Sequence, residues 1–439
     1  MTAEAAWKGG LEPMTDADVI VVGGGPAGMM AAAAAAGAGA RVLLLEKGDR
    51  LGRKLIISGG GRCNVTNRKP VPDLIRHIPG NGRFLYSALS QFGSEEIIRF
   101  FEELGVRLKE EDDGRMFPAT DRAVTVAGAL VKHLRDLGVQ IRPRAPVERL
   151  LLDDRRCTGV VLQGGESLRA PAVVVATGGK SVPRTGSTGD GYEWARAAGH
   201  TVTPLYPTAV PLVLGDPVIA GRSLQGISLR DVTLTLHDPR GKRLTTERGD
   251  IVFTHFGVSG PCALRVSHYV SVARRKLGDV PLRLDIDLFP DRSQEDLMRE
   301  IGSQAAAEPR KTVKTVLRRL LPDRMVPLVL ERSGVSGETT GAHLPKAGLA
   351  ALVRLLKALP FTVTGTRPLE ETFVTGGGVS IREIDPRTMA SRLMEGLFFA
   401  GEVMDVHGHT GGYNITIAFS TGYAAGTAAA RLALGRSGE

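Results

Sequence analysis

Three glycines and one carboxylate near the start of the sequence have a spacing that suits the binding of a dinucleotide. Gly23, Gly25 and Gly28 form a Gly-x-Gly-x-x-Gly pattern, and Glu46 ends the aliphatic run that comes later. The first glycine permits a tight bend, the second lets a pyrophosphate approach the backbone, and the third lets a helix pack closely on a strand. A carboxylate at the position of Glu46 accepts hydrogen bonds from ribose hydroxyls, which favours FAD or NAD over NADP.

A strand, a turn, a helix and a second strand must position these groups, and the sequence predicts all four. Residues 19–22 and 42–45 are aliphatic runs without polar alternation, which indicates two buried parallel strands. The alanine-rich residues 27–36 predict a helix whose N-terminus would receive the phosphates. A membrane anchor is the alternative for this nearly uncharged stretch, but its helical part is too short to cross a bilayer of about 30 Å.

A second glycine-rich segment, residues 58–67 (SGGGRCNVTN), follows the basic residues Arg53 and Lys54. Three consecutive glycines preclude a stable helix or strand, so we predict a loop whose backbone amides approach a ligand. Its place after the second strand lies toward the carboxyl ends of the sheet, where cofactors bind, and a plain surface loop is the alternative. Cys63 in this loop is either a small packing residue or a thiol that donates a proton near a redox centre.

Two further glycine-rich segments indicate parts of the same site. The strand-like residues 173–176 end in Thr177, Gly178 and Gly179, a pattern found where the chain of a flavoprotein crosses near its cofactor. Residues 186–192 (GSTGDGY) follow no aliphatic strand, so we interpret them as an extension of the cofactor rim. The sequence therefore contains no second complete unit for NAD(P)H, which would act only as a transient electron donor.

The C-terminal stretch predicts a late strand and a long helix. Residues 397–402 (LFFAGE) end in a glycine and an acid, and such an acid would accept hydrogen bonds from the ribityl chain of FAD. A helix over residues 418–434 would point its N-terminus at the flavin and stabilise the negative charge that reduction places there. The residues expected to bind the cofactor are Gly23, Gly25, Pro26, Ala27, Gly28, Glu46, Lys47, Lys54, Ser58, Gly60, Gly61, Arg62, Asn64, Thr177, Gly178, Gly401, Glu402, Gly411, Gly412, Tyr413 and Asn414.

Length and composition indicate a soluble globular protein of two or three domains. The chain has 439 residues, of which 42% are hydrophobic and 23% are charged. The three cysteines, Cys63, Cys157 and Cys262, lie far apart, which excludes a zinc spacing and a disulfide framework and favours the reducing cytoplasm. Residues 1–17 lack the apolar core of a secretory signal, so we predict a disordered leader, with Met14 as an alternative start.

Positive charge is concentrated in one part of the chain. The net charge is +9, and residues 309–358 hold ten Lys or Arg and three acidic residues, an excess of 10 − 3 = +7. A spacing of four residues predicts that several of these cations share one helical face. Such a face is either simply solvated or able to contact the phosphates of RNA. The residues predicted to contact RNA are Arg310, Lys311, Lys314, Arg318 and Arg319.

Six motifs in order, VGGGPAG, SGGGRCNVTN, ATGG, THFGVSGP, TGGGV and AGEVMDVHGHTGGYN, resemble those of a bacterial family of FAD-dependent oxidoreductases. That family includes aminoacetone-oxidase-like and bile-acid-reductase-like proteins. The resemblance covers nearly the whole chain after Asp18 and implies an α/β fold, a Rossmann-like FAD-binding domain interrupted by a β-barrel-like domain and a small helical domain. Changes in composition place these parts at residues 18–203, 204–290, 291–360 and 361–439, the last being the second part of the FAD domain.

The resemblance also implies an activity, because one branch of the family looks like enzymes that reduce a uridine of large-subunit ribosomal RNA to dihydrouridine. NAD(P)H would reduce FAD, and the hydride would pass to an activated C=C while an acid delivers the proton. Cys63, His407 and His409 are the candidate acids. The alternatives are a small-molecule oxidase or reductase and a flavin-stabilised RNA-binding protein, in each case a monomer or homodimer without a metal or a membrane partner.

Overall fold

The computed structural model describes residues 15–435, which divide into two compact units. The first unit contains the chain up to Pro204 and from Gly377 onward, and the second contains Leu205–Gly376. The strands are β1 (Val19–Val22), β2 (Val42–Leu45), β3 (Thr66–Asn67), β4 (Leu108–Glu111), β5 (Arg115–Pro118), β6 (Gln140–Arg142), β7 (Val147–Asp153), β8 (Arg156–Leu162), β9 (Ser167–Arg169), β10 (Ala172–Val175), β11 (Val202–Thr208), β12 (Leu212–Leu214), β13 (Ser228–His237), β14 (Arg243–Phe253), β15 (Gly257–Ser259), β16 (Leu282–Asp287), β17 (Leu359–Thr366), β18 (Val374–Val379) and β19 (Leu397–Phe399).

Helices of very different length connect these strands. They are α1 (Pro26–Gly37), α2 (Arg53–Ile57), α3 (Val71–Arg76), α4 (Tyr86–Gln91), α5 (Ser94–Glu103), α6 (Ala123–Asp136), α7 (Asp190–Ala197), α8 (Pro217–Ala220), α9 (Pro261–Leu277), α10 (Gln294–Ala307), α11 (Val313–Leu317), α12 (Val326–Ser333), α13 (Lys346–Lys357) and α14 (Tyr413–Ala433).

A parallel five-stranded sheet forms the centre of the first unit, with the strand order β19-β10-β1-β2-β6. Every residue of β1, β2 and β10 is buried, which explains the aliphatic runs without polar alternation. Strands β10 and β19 pair with Val175 opposite Phe399, although more than half of the chain separates them. The sheet therefore brings the segments after Val175 and after Phe399 to the same edge.

Helices α1 and α14 pack closely in the first unit because small residues line their contact. A Cβ at Gly422 would lie 2.3 Å from the carbonyl oxygen of Ala27, and one at Gly426 would lie 2.1 Å from that of Ala31. Neither position can accept a side chain without moving a backbone. The small residues of α1 thus suit this close approach of the two helices.

The second unit is built on a closed barrel with the strand order β12-β15-β14-β13-β16-β17. Helices α10 to α13 lie in the chain between β16 and β17, and they share one hydrophobic core with the barrel. Leu234 and Phe361 of the barrel and Ile301 and Leu352 of the helices belong to this core. The expected α/β fold, a Rossmann-like domain with an inserted barrel and helical segments, is therefore confirmed.

Two boundaries differ from the sequence-based expectation. Strand β17 closes the barrel, so the boundary predicted at residues 360 and 361 falls inside the barrel and not at the return to the first unit. The predicted leader lies mostly outside the described residues, but its last residues are ordered. Asp16 donates its backbone N–H to the carbonyl of Arg169 at 2.9 Å, and its carboxylate accepts the backbone N–H of Arg169 at 2.8 Å.

Candidate dinucleotide and redox site

Gly23 and Gly28 meet packing requirements at the turn between β1 and α1. Gly23 has a φ of +109°, and a Cβ there would lie 2.5 Å from the carbonyl oxygen of Ala176. A Cβ at Gly28 would lie 1.8 Å from the carbonyl oxygen of Gly23, so only glycine fits where the helix crosses the turn. These two glycines place the N-terminus of α1 at the carboxyl end of β1.

Gly25 differs from both because the space beside it is open. A Cβ at Gly25 would have no atom within 4 Å, and the backbone there is extended, with a φ of −78° and a ψ of −178°. Gly25 caps α1, and the proline ring at Pro26 leaves Ala27 and Gly28 as the first helical residues that have a backbone N–H. Such N–H groups have no acceptor within the helix, so they face a space in which an anionic group can bind.

Glu46 closes this turn on the other side. Its two carboxylate oxygens accept the backbone N–H groups of Gly24 at 2.8 Å and of Gly48 at 2.7 Å. Each oxygen keeps a second lone pair for a further donor, such as a ribose hydroxyl. The neighbouring Lys47 forms an ion pair with Asp190 of α7 at 2.5 Å, so its ammonium group connects β2 to the segment after β10.

Lys54 of α2, Ser181 from the segment after β10 and Glu402 from the segment after β19 form a cluster in which Ser181 is fully buried and the two charged side chains are partly exposed. The ammonium group of Lys54 lies 2.7 Å from one carboxylate oxygen of Glu402 and donates a hydrogen bond to Ser181 Oγ at 2.6 Å. Ser181 in turn donates to the other oxygen of Glu402 at 3.0 Å. Sequence reasoning selected Lys54 and Glu402 but not Ser181, whose sequence context contains no signal for this contact.

Tyr192 is a second residue that the sequence-based selection missed. Its side chain is 3% exposed, and its hydroxyl has no hydrogen-bond partner within residues 15–435. Burial raises the pKa of Tyr192, and the negative charges of Glu402 and Asp405 raise it further, so the phenol stays a neutral donor. Thr177 Oγ1 is also buried without a partner in the described chain, as expected where a polar ligand completes the site.

The loop predicted over residues 58–67 begins with a short 3-10 turn, Ser58–Gly61, in which Gly60 and Gly61 adopt φ angles of 68° and 87°. Both glycines are exposed, and a Cβ on either would have no atom within 4 Å. The Ser58 hydroxyl donates to the carbonyl of Leu55 at 2.7 Å. This segment therefore presents backbone to the surface of the first unit.

Arg62 and Cys63 have surroundings that explain their positions. The guanidinium of Arg62 pairs with Glu111 and Asp121 and lies 4.1 Å from the centre of the Phe117 ring, so its side chain holds the loop in place. Cys63 is fully buried, and burial raises the pKa of its thiol to about 12. A general acid works best with a pKa near the operating pH, so this environment favours packing as the role of Cys63.

The same loop contacts the start of α14. Thr66 and Thr416 share a hydrogen bond of 2.7 Å between their hydroxyls, and the amide of Asn67 donates to the carbonyl of Gly411 at 3.0 Å. A Cβ at Gly412 would lie 2.9 Å from Asn64 Oδ1, an atom that is buried without a partner among the described residues. Two glycine-rich segments that are distant in sequence are thus adjacent in the first unit.

The loop between β19 and α14 holds His407 and His409, which are 1% and 7% exposed. Asn414 fixes this loop: its carbonyl oxygen accepts the N–H of Gly408 at 2.8 Å, and its amide donates to the carbonyls of Gly408 and His409 at 2.9 and 3.1 Å. Tyr413 stacks on His77 with the ring centres 4.8 Å apart. The structure therefore places the loop that carries both predicted histidines against the start of α14.

The predicted RNA-contacting residues do not share a helical face. Helix α11 contains only Val313–Leu317, so Arg310 lies in the turn before it and Arg318 at its end. Lys311 and Arg319 both pair with Glu308, at 2.9 and 2.5 Å. The continuous basic face expected from four-residue spacing is therefore wrong.

The Asp323 carboxylate also partly neutralises this segment, at 3.6 Å from Arg318. Lys314 is half-buried, and neither it nor the exposed Arg310 forms an ion pair within the described chain. Asp323 is already counted in the excess of +7, but Glu308 lies outside residues 309–358, so its pairing makes the uncompensated positive charge of the segment smaller than that count. Over residues 15–435 there is also no cluster of side chains that could hold a metal ion, and no helix long and apolar enough to cross a bilayer.

The residues present fit a bound FAD on three observations of the first unit. The space beside Gly25 is open, and three buried polar atoms, Asn64 Oδ1, Thr177 Oγ1 and the Tyr192 hydroxyl, have no partner within the described residues. The parallel sheet places the carboxylates of Glu46 and Glu402 after β2 and β19, at its carboxyl edge. This arrangement is that of Rossmann-type oxidoreductases with a dinucleotide cofactor.

A family profile described as HI0933-like protein Rossmann domain matches residues 17–428. Because this match covers nearly the whole chain, the protein belongs to the HI0933-like family and is a flavoprotein oxidoreductase.

The chain is 32% identical over 388 residues, 88% of its length, to the ribosomal RNA dihydrouridine synthase of Haemophilus influenzae, of which the match covers 92%. It is 31% identical over 393 residues to the 3-dehydro-bile acid delta(4,6)-reductase of Clostridium scindens, covering 89% of this chain and 93% of the relative. A flavocytochrome c3 fumarate reductase in an open conformation superposes with a TM-score of 0.52 at 20% identity, over 96% of this chain and 79% of the other. That last similarity shows the fold alone.

Proposed function

We propose that the protein is an FAD-dependent reductase of an activated C=C, and that its substrate is a uridine of large-subunit ribosomal RNA, which it converts to dihydrouridine. NAD(P)H is the transient electron donor in this proposal, and the cytoplasm is the compartment. A relative that carries the name ribosomal RNA dihydrouridine synthase supports this substrate, since it is 32% identical over 88% of the chain. The charge distribution also supports it, since Arg310 is exposed and forms no ion pair within residues 15–435.

The first unit supplies a binding group for each part of the cofactor. The backbone N–H groups at the start of α1 would hold the pyrophosphate in the open space beside Gly25, and Glu46 would accept the ribose hydroxyls. Glu402, oriented by Lys54, would accept the ribityl hydroxyls. Asn64, Thr177 and Tyr192 would direct their buried polar atoms toward the same ligand.

The observation that carries the reaction type is the position of His407 and His409 in a buried loop fixed by Asn414 at the N-terminus of α14. When bound, FAD supplies a hydride to an electron-poor C=C, such as C6 of uracil. The resulting negative charge lies on C5 and the C4 carbonyl, and a proton must then be delivered to C5. An imidazole N–H of one of the two histidines can donate that proton, and the helix N-terminus stabilises the negative charge that precedes the transfer.

Purified protein tests this proposal directly. With a large-subunit ribosomal RNA substrate and no oxygen, we expect one dihydrouridine to form for each NADH or NADPH consumed. His407→Asn and His409→Asn each remove one candidate acid. The variant that lacks the true proton donor should form dihydrouridine about 10²- to 10⁴-fold more slowly. Full activity of both variants would exclude the two imidazoles, and absence of dihydrouridine with the unmodified protein would exclude the reaction.

A small-molecule substrate is the second candidate, and the neutralised charge around Glu308 favours it. Both Lys311 and Arg319 pair with that carboxylate, so a basic surface for RNA is only partly present in this segment. The relative named 3-dehydro-bile acid delta(4,6)-reductase is as similar to this chain as the RNA-modifying one. Two results would support this candidate if RNA causes no consumption of NAD(P)H. One is consumption of NAD(P)H with a conjugated steroid ketone, and the other is consumption of oxygen with aminoacetone.

A further inference from the structure

Residues 77–81 form one wall of the loop that carries His407 and His409. Gly80 and His407 exchange two backbone hydrogen bonds, of 3.1 and 3.3 Å, and the N–H of His409 donates to the carbonyl of His77 at 2.9 Å. The amide of Asn81 donates to the carbonyl of Asp405 at 2.7 Å. These bonds fix residues 77–81 relative to the backbone of the loop that carries His407 and His409.

The chain continues from this wall into two exposed side chains that the proposed reaction has not used. Tyr86, the first residue of α4, is 58% exposed, which is unusual for a large aromatic residue. Arg83 is exposed and forms no ion pair within residues 15–435. Gly80 and Tyr86 are six residues apart, so the backbone between them spans at most about 20 Å.

Charge in this stretch has one sign. Between Asp73 and Glu95 the sequence contains Arg76 and Arg83 and no acidic residue. Arg76 is neutralised by Asp73 at 2.6 Å, so Arg83, three residues before Tyr86, gives the uncompensated positive charge of this stretch. An exposed aromatic three residues after an exposed arginine suits a single-stranded nucleic acid, because the ring can stack on a base while the guanidinium binds a phosphate.

We propose that residues 77–86 are the surface that receives the nucleotides next to the reacting uridine, with Tyr86 stacked on a flanking base and Arg83 bound to the RNA backbone. This inference rests on the proposed function. It places the contact with the RNA around the reacting uridine on residues of the first unit. An enzyme that acts on a base must unstack that base from its neighbours, which costs free energy. A ring at Tyr86 that stacks on the neighbouring base would lower this cost.

Binding of a ribosomal RNA fragment to four variants of the full FAD-loaded protein tests this assignment. Tyr86→Ala should weaken RNA binding by about tenfold, the effect of losing one base–aromatic stack, while Tyr86→Phe keeps the ring and should bind within about twofold of the unmodified protein. Arg83→Ala should also weaken binding and flatten its salt dependence. Arg155→Ala is the matched control, since Arg155 is exposed in the turn between β7 and β8 and should have no effect.

Each outcome separates this inference from the proposed function on which it rests. The FAD content and thermal unfolding of each variant report on folding, so a loss of RNA affinity counts only where both are retained. If unmodified protein forms dihydrouridine but Tyr86→Ala and Arg83→Ala bind RNA as well as Arg155→Ala does, the assignment of residues 77–86 is wrong and the function stands. If unmodified protein neither binds the RNA nor forms dihydrouridine, both are wrong.

Discussion

Replacing Gly25 with valine should remove FAD from the protein without unfolding it. The backbone at Gly25 is extended, with a φ of −78°, and a Cβ there would have no protein atom within 4 Å. The Cβ of a valine therefore meets no protein atom, and the side chain extends from it into the space in which the pyrophosphate would approach α1. In contrast, a Cβ at Gly28 would lie 1.8 Å from the carbonyl oxygen of Gly23, so Gly28→Val should disturb both folding and binding.

The size of the effect follows from the hydrogen bonds that the valine blocks. Two backbone N–H groups that donate to a phosphate contribute about 1.5–3 kcal/mol each, because the acceptor is charged. Their loss, about 3–6 kcal/mol, corresponds to a Kd for FAD that is about 10²- to 10⁴-fold higher. The cost to folding is smaller, about 1 kcal/mol, since valine is a poorer helix cap than glycine.

Three measurements on the purified variant test this reasoning: the flavin absorbance per protein, the Kd of the apoprotein for FAD, and the thermal unfolding of the apoprotein. Gly37→Val is the matched control, because Gly37 is at the other end of α1 and a Cβ there also has no atom within 4 Å. This control should retain FAD. A Gly25→Val protein that folds and binds FAD with unchanged affinity would refute the assignment of the pyrophosphate to this turn.

The other predictions concern three different parts of the molecule. Tyr192→Phe should raise the Kd for FAD by about fivefold, which corresponds to the loss of one hydrogen bond. The apoprotein should be equally or more stable, because the variant removes a buried hydroxyl that has no protein partner in the described chain. A titration that shows tighter FAD binding and a melting curve that shows a less stable apoprotein would contradict this. Cys63→Ala should form the reduced product with a kcat within about threefold of that of the unmodified protein. A kcat that is lower by about 10²-fold or more would identify the thiol as the acid. Arg310→Glu combined with Arg318→Glu should weaken RNA binding and reduce its dependence on salt while FAD content stays unchanged, and equal RNA affinity would exclude this segment as a contact.

The first strand–helix–strand unit could be predicted from the sequence because its signals are local. The aliphatic runs over residues 19–22 and 42–45 are the strands β1 and β2, with the predicted bounds. Helix α1 spans Pro26–Gly37, close to the expected residues 27–36. Each of these elements depends on burial of its own short segment, so the pattern of apolar residues contains nearly all of the information.

The long-range parts of the site could be predicted only in part. The glycine before Glu402 marks that acid in the sequence, but its contact with Ser181 depends on the pairing of β10 with β19, which no local pattern encodes. The same strand pairing brings the segment of Tyr192 near Glu402 and Asp405, whose charges add to the effect of burial on the pKa of its phenol. Contacts between neighbouring strands that are distant in sequence follow from topology, and topology is set by packing of the whole domain.

The basic segment shows the opposite limit, because a regular spacing of cations does not by itself establish a helix. Four-residue spacing from Arg310 to Arg318 predicts one helical face only if the helix covers all of those residues. Helix α11 has five residues, and Glu308, which precedes the segment, pairs with two of the cations. The boundary predicted at residue 361 is also wrong. Strand β17 follows a helical segment in the sequence, but it belongs to the second unit because it closes the barrel.

The central claim, reduction of a ribosomal uridine, is tested most directly by mass spectrometry of nucleosides and mapped fragments of large-subunit ribosomal RNA. The RNA is taken from cells that have the gene, cells that lack it, and cells in which it is restored with Gly37→Val or with Gly25→Val. We predict that one dihydrouridine disappears with the gene and returns with the Gly37→Val protein but not with Gly25→Val. An unchanged content of dihydrouridine at every position would contradict the RNA substrate and leave a small-molecule reductase as the account of this flavoprotein.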